Sequence, residues 1–243
     1  MNYDMPLYRP PSEGRSLIFQ ITLGFAADTG FLVKVLDLIN AKFPRLERIS
    51  AYAGPTNLME KSLEELKSLR ERKLDVLYLG IETGNEALLK KVCKGATAAQ
   101  IIEGSRKAID AGLRMSTFII LGLGGVEGSF DHAKDSARVA NAIDPQFLAC
   151  LTLMLGQYEE VYEKKLMGGN FKLIDKMQSL QELRWFVEDL QVSDCKFGTE
   201  HASNYLPLDG WLPDDKKKIL DLIDNALHDS KSGMLRPEWL RGL

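Results

Sequence analysis

Five stretches of the chain are continuous and apolar, and each leads into a stretch whose apolar residues recur at helical spacing. The first, 17–23 (LIFQITL), arrives at Gly24 and runs within a few small residues into 31–43 (FLVKVLDLINAKF), a helical pattern that Pro44 ends. ERISAYAG at 47–54 alternates and then meets GPTN, a turn signal. Leu63, Leu66 and Leu69 share one face of a helix over 60–73. DVLYLGI at 75–81 is a dense apolar strand that ends at Glu82-Thr83-Gly84. Thr97 and Gln100 resemble a capping box for a helix over 98–111, and Gly112 stands where that helix should stop. RMSTFIILGLGG at 114–125 is a further buried strand, followed by a helix over 129–142 and the apolar run FLACLTLML at 147–155.

Continuous apolar strands alternating with amphipathic helices predict a parallel sheet covered by helices. Two closures remain open on this pattern, an open doubly wound sheet or a barrel of (β/α) units, and both bind ligands at the carboxyl ends of the strands. Polar residues gather at those ends: Thr22, Asn57, Glu82, Thr83 and Glu127. After Gly156 the alternation stops. Residues 157–195 read as helical, with Leu180, Leu183, Val187 and Leu190 on one face; 196–213 reads as a long ordered loop; and 214–229 closes as an amphipathic helix.

Composition narrows this picture in three ways. A chain of 243 residues with 45% apolar content has ample material for a core. The formal net charge of -3 disfavours a general nucleic-acid footprint, and no run of 18 apolar residues predicts a membrane span. Three cysteines (Cys93, Cys150 and Cys195) lie too far apart for metal-ligand spacing and are too few for a disulfide framework, so a reduced, cytoplasmic protein is expected.

Three places carry candidate chemistry. LGLGGVEGS at 121–129 is glycine-rich between a strand and a helix, but Glu127 stands where a dinucleotide fingerprint wants its third glycine, and no P-loop lysine follows. A tight strand-to-helix turn explains the glycines equally well. Glu82 ends an apolar strand, where a carboxylate accepts hydrogen bonds from an ammonium or ribose hydroxyl group, or simply favours the start of the next helix. His201, Asn204 and Tyr205 lie in the long loop, a length that is often functional, although a lone histidine is more often a structural hydrogen-bonder.

RPPSEGRSLIFQITLG, SAYAGPTNL, LYLGIETG and STFIILGLGG, taken in order, resemble the radical SAM superfamily, most closely the branch related to oxygen-independent coproporphyrinogen oxidase and the wobble-uridine-modifying enzymes. EHASNYLPLDGWLPDDK resembles the tail of a group of bacterial members. The resemblance implies a partial TIM-like (β/α)6 barrel of parallel strands over 1–156, with a C-terminal helical extension over 157–243 that contains the ordered loop 196–213. It implies an enzyme with two cofactors, a [4Fe-4S] cluster and S-adenosylmethionine (SAM). The reduced cluster cleaves SAM to methionine and a 5′-deoxyadenosyl radical, which takes a hydrogen atom from a small-molecule or otherwise unknown substrate. A reductant such as flavodoxin or ferredoxin is the implied partner, and no membrane is. Carried over residue by residue, the resemblance assigns Glu82, Ile120, Gly122, Gly124, Thr22, Asn57 and Arg184 to SAM, with Glu127 assisting, and His201, Asn204 and Tyr205 to the substrate side.

The chain departs from the family at one point. A family strand ending like ITLG runs directly into Cys-x3-Cys-x2-Cys, whose thiolates hold the cluster. Here Gly24 is followed by Phe25-Ala26-Ala27-Asp28, and none of the three cysteines has that spacing. The family also places a helix and a strand before the equivalent of FLVKVLDLINAKF; a strand-crossover-strand unit needs roughly 30 residues, and Gly24 to Phe31 is too short for one. The resemblance thus implies a segment missing near 24–28, either left out of this form of the chain or absent from its gene. The alternative expectation is a SAM- or nucleotide-binding module without cluster chemistry.

Overall fold

The computed structural model describes residues 19–21, 24–229 and 233–242. In chain order the elements are β1 (Phe19–Ile21), α1 (Thr29–Lys42), β2 (Ile49–Tyr52), α2 (Pro55–Glu60), α3 (Leu63–Glu71), β3 (Leu74–Glu82), α4 (Glu86–Lys91), α5 (Ala98–Asp110), β4 (Arg114–Leu121), α6 (Gly125–Ile143), β5 (Phe147–Thr152), α7 (Glu159–Val161), α8 (Lys176–Asp189), β6 (Cys195–Gly198), β7 (Asp209–Leu212) and α9 (Lys216–His228). Strand order along the sheet follows the chain from β1 to β7, so the expected parallel (β/α) architecture is present. Among the described residues no pairing joins β1 to β7, and the sheet is open at both edges. No described helix is long and apolar enough to cross a membrane.

The described residues divide into two compact units. The first takes the chain up to Gly80 together with Ala99–Thr117. In it β1 runs parallel to β2, with Phe19 opposite Ile49, and β2 runs parallel to β3, with Ala51 opposite Leu77. Gly24–Ala26 forms a single 3-10 turn, and Asp28 caps α1 by accepting from the Gly30 and Phe31 amides at 2.8 and 3.3 Å. Phe25 is buried there, with the Lys61 ammonium 5.3 Å from its ring centre and donating to the Ala27 carbonyl at 2.8 Å. From Gly24 the chain therefore enters α1 through a packed, capped turn, and Leu32, Leu36 and Ile39 of α1 carry the burial onward. The sequence GPTN starts a helix rather than a simple turn. Pro55 takes the first helical position, where its missing N–H costs nothing, and Asn57 accepts from the Gly54 amide at 3.1 Å.

The second unit holds Ile81–Ala98 and the chain from Phe118 onward. Here β6 extends the sheet parallel to β5, with Ala149 opposite Gly198, and β7 returns antiparallel, with Phe197 opposite Gly210. Two strands thus stand where a long loop over 196–213 was expected. Each has only four residues, too few for alternation to stand out between turn residues. The helical reading of 157–195 is also revised. Gly168 and Gly169, at φ 75° and 85°, end a short π-helical stretch over Tyr162–Leu166, and regular helix resumes only at Lys176 under an Asp175 cap.

Candidate functional site

Within the second unit the ends of β3 and β4 are tied together by one imidazole. His132, on α6, is fully buried. Its Nδ1 lies 2.8 Å from the Thr83 hydroxyl and its Nε2 lies 3.0 Å from the Ile120 carbonyl. With the ring neutral, Nε2–H donates to the carbonyl and Nδ1 accepts from Thr83. Burial drives the His132 pKa down to about 4, consistent with that tautomer. Gly84 follows at a close approach to α6, with its amide donating to the Ser136 hydroxyl at 2.9 Å. A Cβ added at Gly84 would lie 2.1 Å from the Asp135 carbonyl oxygen.

Glu82, immediately before this bridge, has a left-handed backbone at φ 65°. Non-glycine residues rarely adopt that conformation, and it recurs where a site holds a residue in one orientation. One carboxylate oxygen, Oε1, accepts from Lys94 Nζ at 3.0 Å; the other, Oε2, is buried and has no hydrogen-bond partner among the described residues. A buried carboxylate oxygen at a strand end without a donor among the described residues calls for an explanation.

The β4 end is held from below by a carboxylate. Glu182, on α8, is 0% exposed. Its Oε1 accepts from the Gly122 amide at 2.7 Å and lies 3.5 Å from His132 Nε2, while Oε2 accepts from the Ser129 hydroxyl. Burial raises its pKa to about 7, against the two hydrogen bonds that favour the charged form. Neither Glu182 nor His132 was among the residues that sequence reasoning selected. The signal was present: Glu182 interrupts the buried face Ser179, Leu180, Leu183, Phe186 of α8, where a carboxylate demands partners.

The glycines of the turn serve the chain's own packing. Gly122 and Gly125 have φ 86° and 66°, and a Cβ added at either would meet Ile174 or Phe171 and the Lys172 carbonyl at 2.9 Å. The Val126 amide donates to that Lys172 carbonyl, and the Tyr162 hydroxyl donates to the Leu123 carbonyl at 2.8 Å. Tyr162 and Phe171 meet edge to face in an apolar cluster with Leu88, Leu123 and Met167, against which Ile120 packs. Gly124 caps α6, and Glu127 stands exposed in its first turn.

The other selected residues are placed as follows. Arg184 pairs with Asp224 of α9 at 2.6 Å and with Glu188 at 3.2 Å. Asn204 is buried and commits its whole amide internally: Nδ2 donates to the Cys150 and Thr199 carbonyls at 2.7 and 2.9 Å, and Oδ1 accepts from Thr152 at 2.9 Å. His201 accepts at Nδ1 from the Ser203 amide at 3.1 Å, and burial followed by Arg236 lowers its pKa. The Arg241 guanidinium lies 3.8 Å from the Tyr205 ring centre, and burial raises the Tyr205 phenol to about 12. Arg236 donates to the His201 and Asn204 carbonyls at 2.9 and 2.6 Å, so the 233–242 segment clasps this loop. Asn57 belongs to the first unit, and Thr22 lies outside the described residues. Glu82, Ile120 and Gly122 are therefore brought together through His132 and Glu182, while Arg184 and the His201–Tyr205 loop have separate partners.

The donor set does not fit an iron–sulfur cluster. The turn after β1 presents Gly24, Phe25, Ala26 and Ala27, none with a thiolate, and Phe25 points its ring into the core. Cys150 and Cys195 are buried one by one within strands, and burial raises both thiols. Cys93 alone is exposed. Among the described residues no group of three or more histidine, cysteine or acidic side chains is arranged to hold a metal.

Comparison with known proteins gives a concordant picture. The profile described as the radical SAM superfamily matches residues 13–137. The chain is similar in structure to coproporphyrinogen III oxidase from Escherichia coli (17% identity, TM-score 0.53, 70% of this chain and 39% of that one). It is also similar to Elp3 from Methanocaldococcus infernus (14%, 0.52, 74% and 48%) and to methylornithine synthase (17%, 0.50, 72% and 49%). At these identities the likeness is one of fold, and the chain spans less than half the length of each. No curated protein sequence matches it.

Proposed function

We propose, since the chain belongs to the radical SAM superfamily, that it binds SAM at the joined ends of β3 and β4, with the Glu82 carboxylate receiving the ligand's ammonium or hydroxyl donor. The observation that carries this reading is the buried Oε2 of Glu82, unpartnered among the described residues and set at a strained strand end beside the Thr83–His132–Ile120 bridge. A charged hydrogen bond there repays the desolvation of the carboxylate, and Lys94 already balances its charge on the other oxygen.

Reductive cleavage of SAM, the reaction of the family, requires the thiolates that this chain lacks after β1. In our reading the cleavage belongs to a form of the protein that carries the segment between Gly24 and Phe25, and the 243-residue chain binds SAM without cleaving it. Sequencing the gene across these two codons separates a lost segment from an omitted one. Titration calorimetry tests the binding itself. SAM should bind the wild type, and Glu82→Gln should weaken it about tenfold, the effect of losing one charge-assisted hydrogen bond. Equal affinity in the two proteins would remove Glu82 from the site, and no heat of binding to the wild type would refute the reading.

A further inference from the structure

We propose that Glu182 is a positioning residue whose charge state sets the geometry of the glycine turn at the end of β4. The inference extends the SAM reading, because that turn adjoins the proposed seat of the ligand. Glu182 holds the first amide of the turn through Oε1 and the first buried hydroxyl of α6 through Oε2, so a single carboxylate fixes both sides of the β4–α6 junction. Glu182 is fully buried, and Gly122, at φ 86°, has no side chain with which to resist a change of backbone angle.

The groups facing this carboxylate come from three elements. From β4 come the Gly122 amide and the Ile120 carbonyl, the latter occupied by His132. From α6 come Ser129 and His132, with Asp135 acting on the imidazole. From β5 comes Cys150, whose thiol is raised by burial and further by Glu182. On α8 itself, Arg184 pairs with Glu188 and with Asp224 of α9. Among the described residues no lysine or arginine neutralises Glu182, and the neutral His132 does not. Its charge is therefore held by the Gly122 and Ser129 hydrogen bonds alone, and burial brings its ionisation to about pH 7. Above that range a carboxylate grips the Gly122 amide. Below it a neutral carboxyl group makes a weaker bond, and the turn slackens.

Amide NMR of the uniformly labelled protein tests this without ligand. The Gly122 amide proton should move upfield as pH falls, with an inflection near neutrality. In Glu182→Gln, which keeps an acceptor but has no charge to lose, that inflection should vanish. Ser129→Ala, which removes a hydrogen bond favouring the charged form, should shift the inflection to higher pH, a response that a purely structural role would not give. SAM affinity of the wild type should fall about fivefold from about pH 8 to about pH 6, with no such fall in Glu182→Gln. A Gly122 amide that ignores pH, or that titrates identically in Glu182→Gln, overturns the proposal. An amide that titrates as expected in a protein that binds no SAM supports the positioning role and sinks the SAM reading instead.

Discussion

Glu82 and Gly84 show how much of this site is decided by single backbone positions. A strand of nine residues ends on a left-handed glutamate, and two residues later the chain passes so close to α6 that only glycine fits. The Glu82 conformation stores strain of order 1–3 kcal/mol, which the Thr83 and Gly84 hydrogen bonds offset by pinning the following residues. Gly84→Ala would drive a methyl group against the Asp135 carbonyl. We expect a loss of about 3 kcal/mol in stability, measured by denaturant unfolding, together with weaker SAM binding as the Thr83 bridge shifts. Asn204 makes a different residue-scale case. Asn204→Ala would take a buried donor from the Cys150 and Thr199 carbonyls and an acceptor from the Thr152 hydroxyl, and stability should fall by about 3 kcal/mol. Glu82 stands out in the sequence because an acidic residue closes an apolar strand there, although a carboxylate favouring the start of the next helix reads as well. Glu182 and His132 are hidden in the sequence, because a polar residue inside a helix's apolar stripe is indistinguishable there from an interruption.

At the level of elements, α6 and α8 carry two buried titrating groups with opposite slopes. His132 is kept neutral by the fold, with its pKa lowered from 6.5 to about 4, so the unfolded chain binds its proton first and stability falls as pH drops through that window. Glu182 is the reverse: its pKa is raised from 4.5 to about 7, so the folded protein keeps a proton that the unfolded chain has released, and stability falls as pH rises through that window. Between these limits the two slopes oppose. Glu182→Gln should therefore leave the His132 slope uncovered, and unfolding free energy should drop more steeply on acidification below about pH 6.5 than in the wild type. His132→Gln should do the opposite and gain stability as pH falls from about 7 toward about 4.5. Urea titrations at a series of pH values measure both. The same scale explains what pattern reading found. Apolar runs predicted the first five strands; β3, β4 and β5 are largely buried on both faces, and such strands leave a contiguous signature. The short pair β6 and β7, and the helices α2 and α4 of six residues each, fall below the length at which a period can be told from chance.

For the molecule as a whole, the decisive fact is the turn from Gly24 into α1. The family resemblance located the place where cluster ligands belong, and the structure closes that place with a buried phenylalanine and a capped helix. The donor set was legible from the sequence because thiolates are irreplaceable and countable. The closure was not, because packing of Phe25 against Lys61 depends on a residue 36 positions away. We expect anaerobic reconstitution of this chain with iron and sulfide to give neither a brown chromophore nor 5′-deoxyadenosine on reduction with SAM. Appearance of either would show that the three separated cysteines assemble a centre after all.

Arg236 and Arg241 reach the loop of His201 largely through main-chain oxygens, those of His201, Ser203 and Asn204. A latch that reads the backbone is indifferent to which side chains the loop displays. Exposed positions such as Glu200 and Ala202 are thereby free to diversify while the loop keeps its path. That makes the loop a natural ground for evolving, or engineering, a new recognition preference on an unchanged frame.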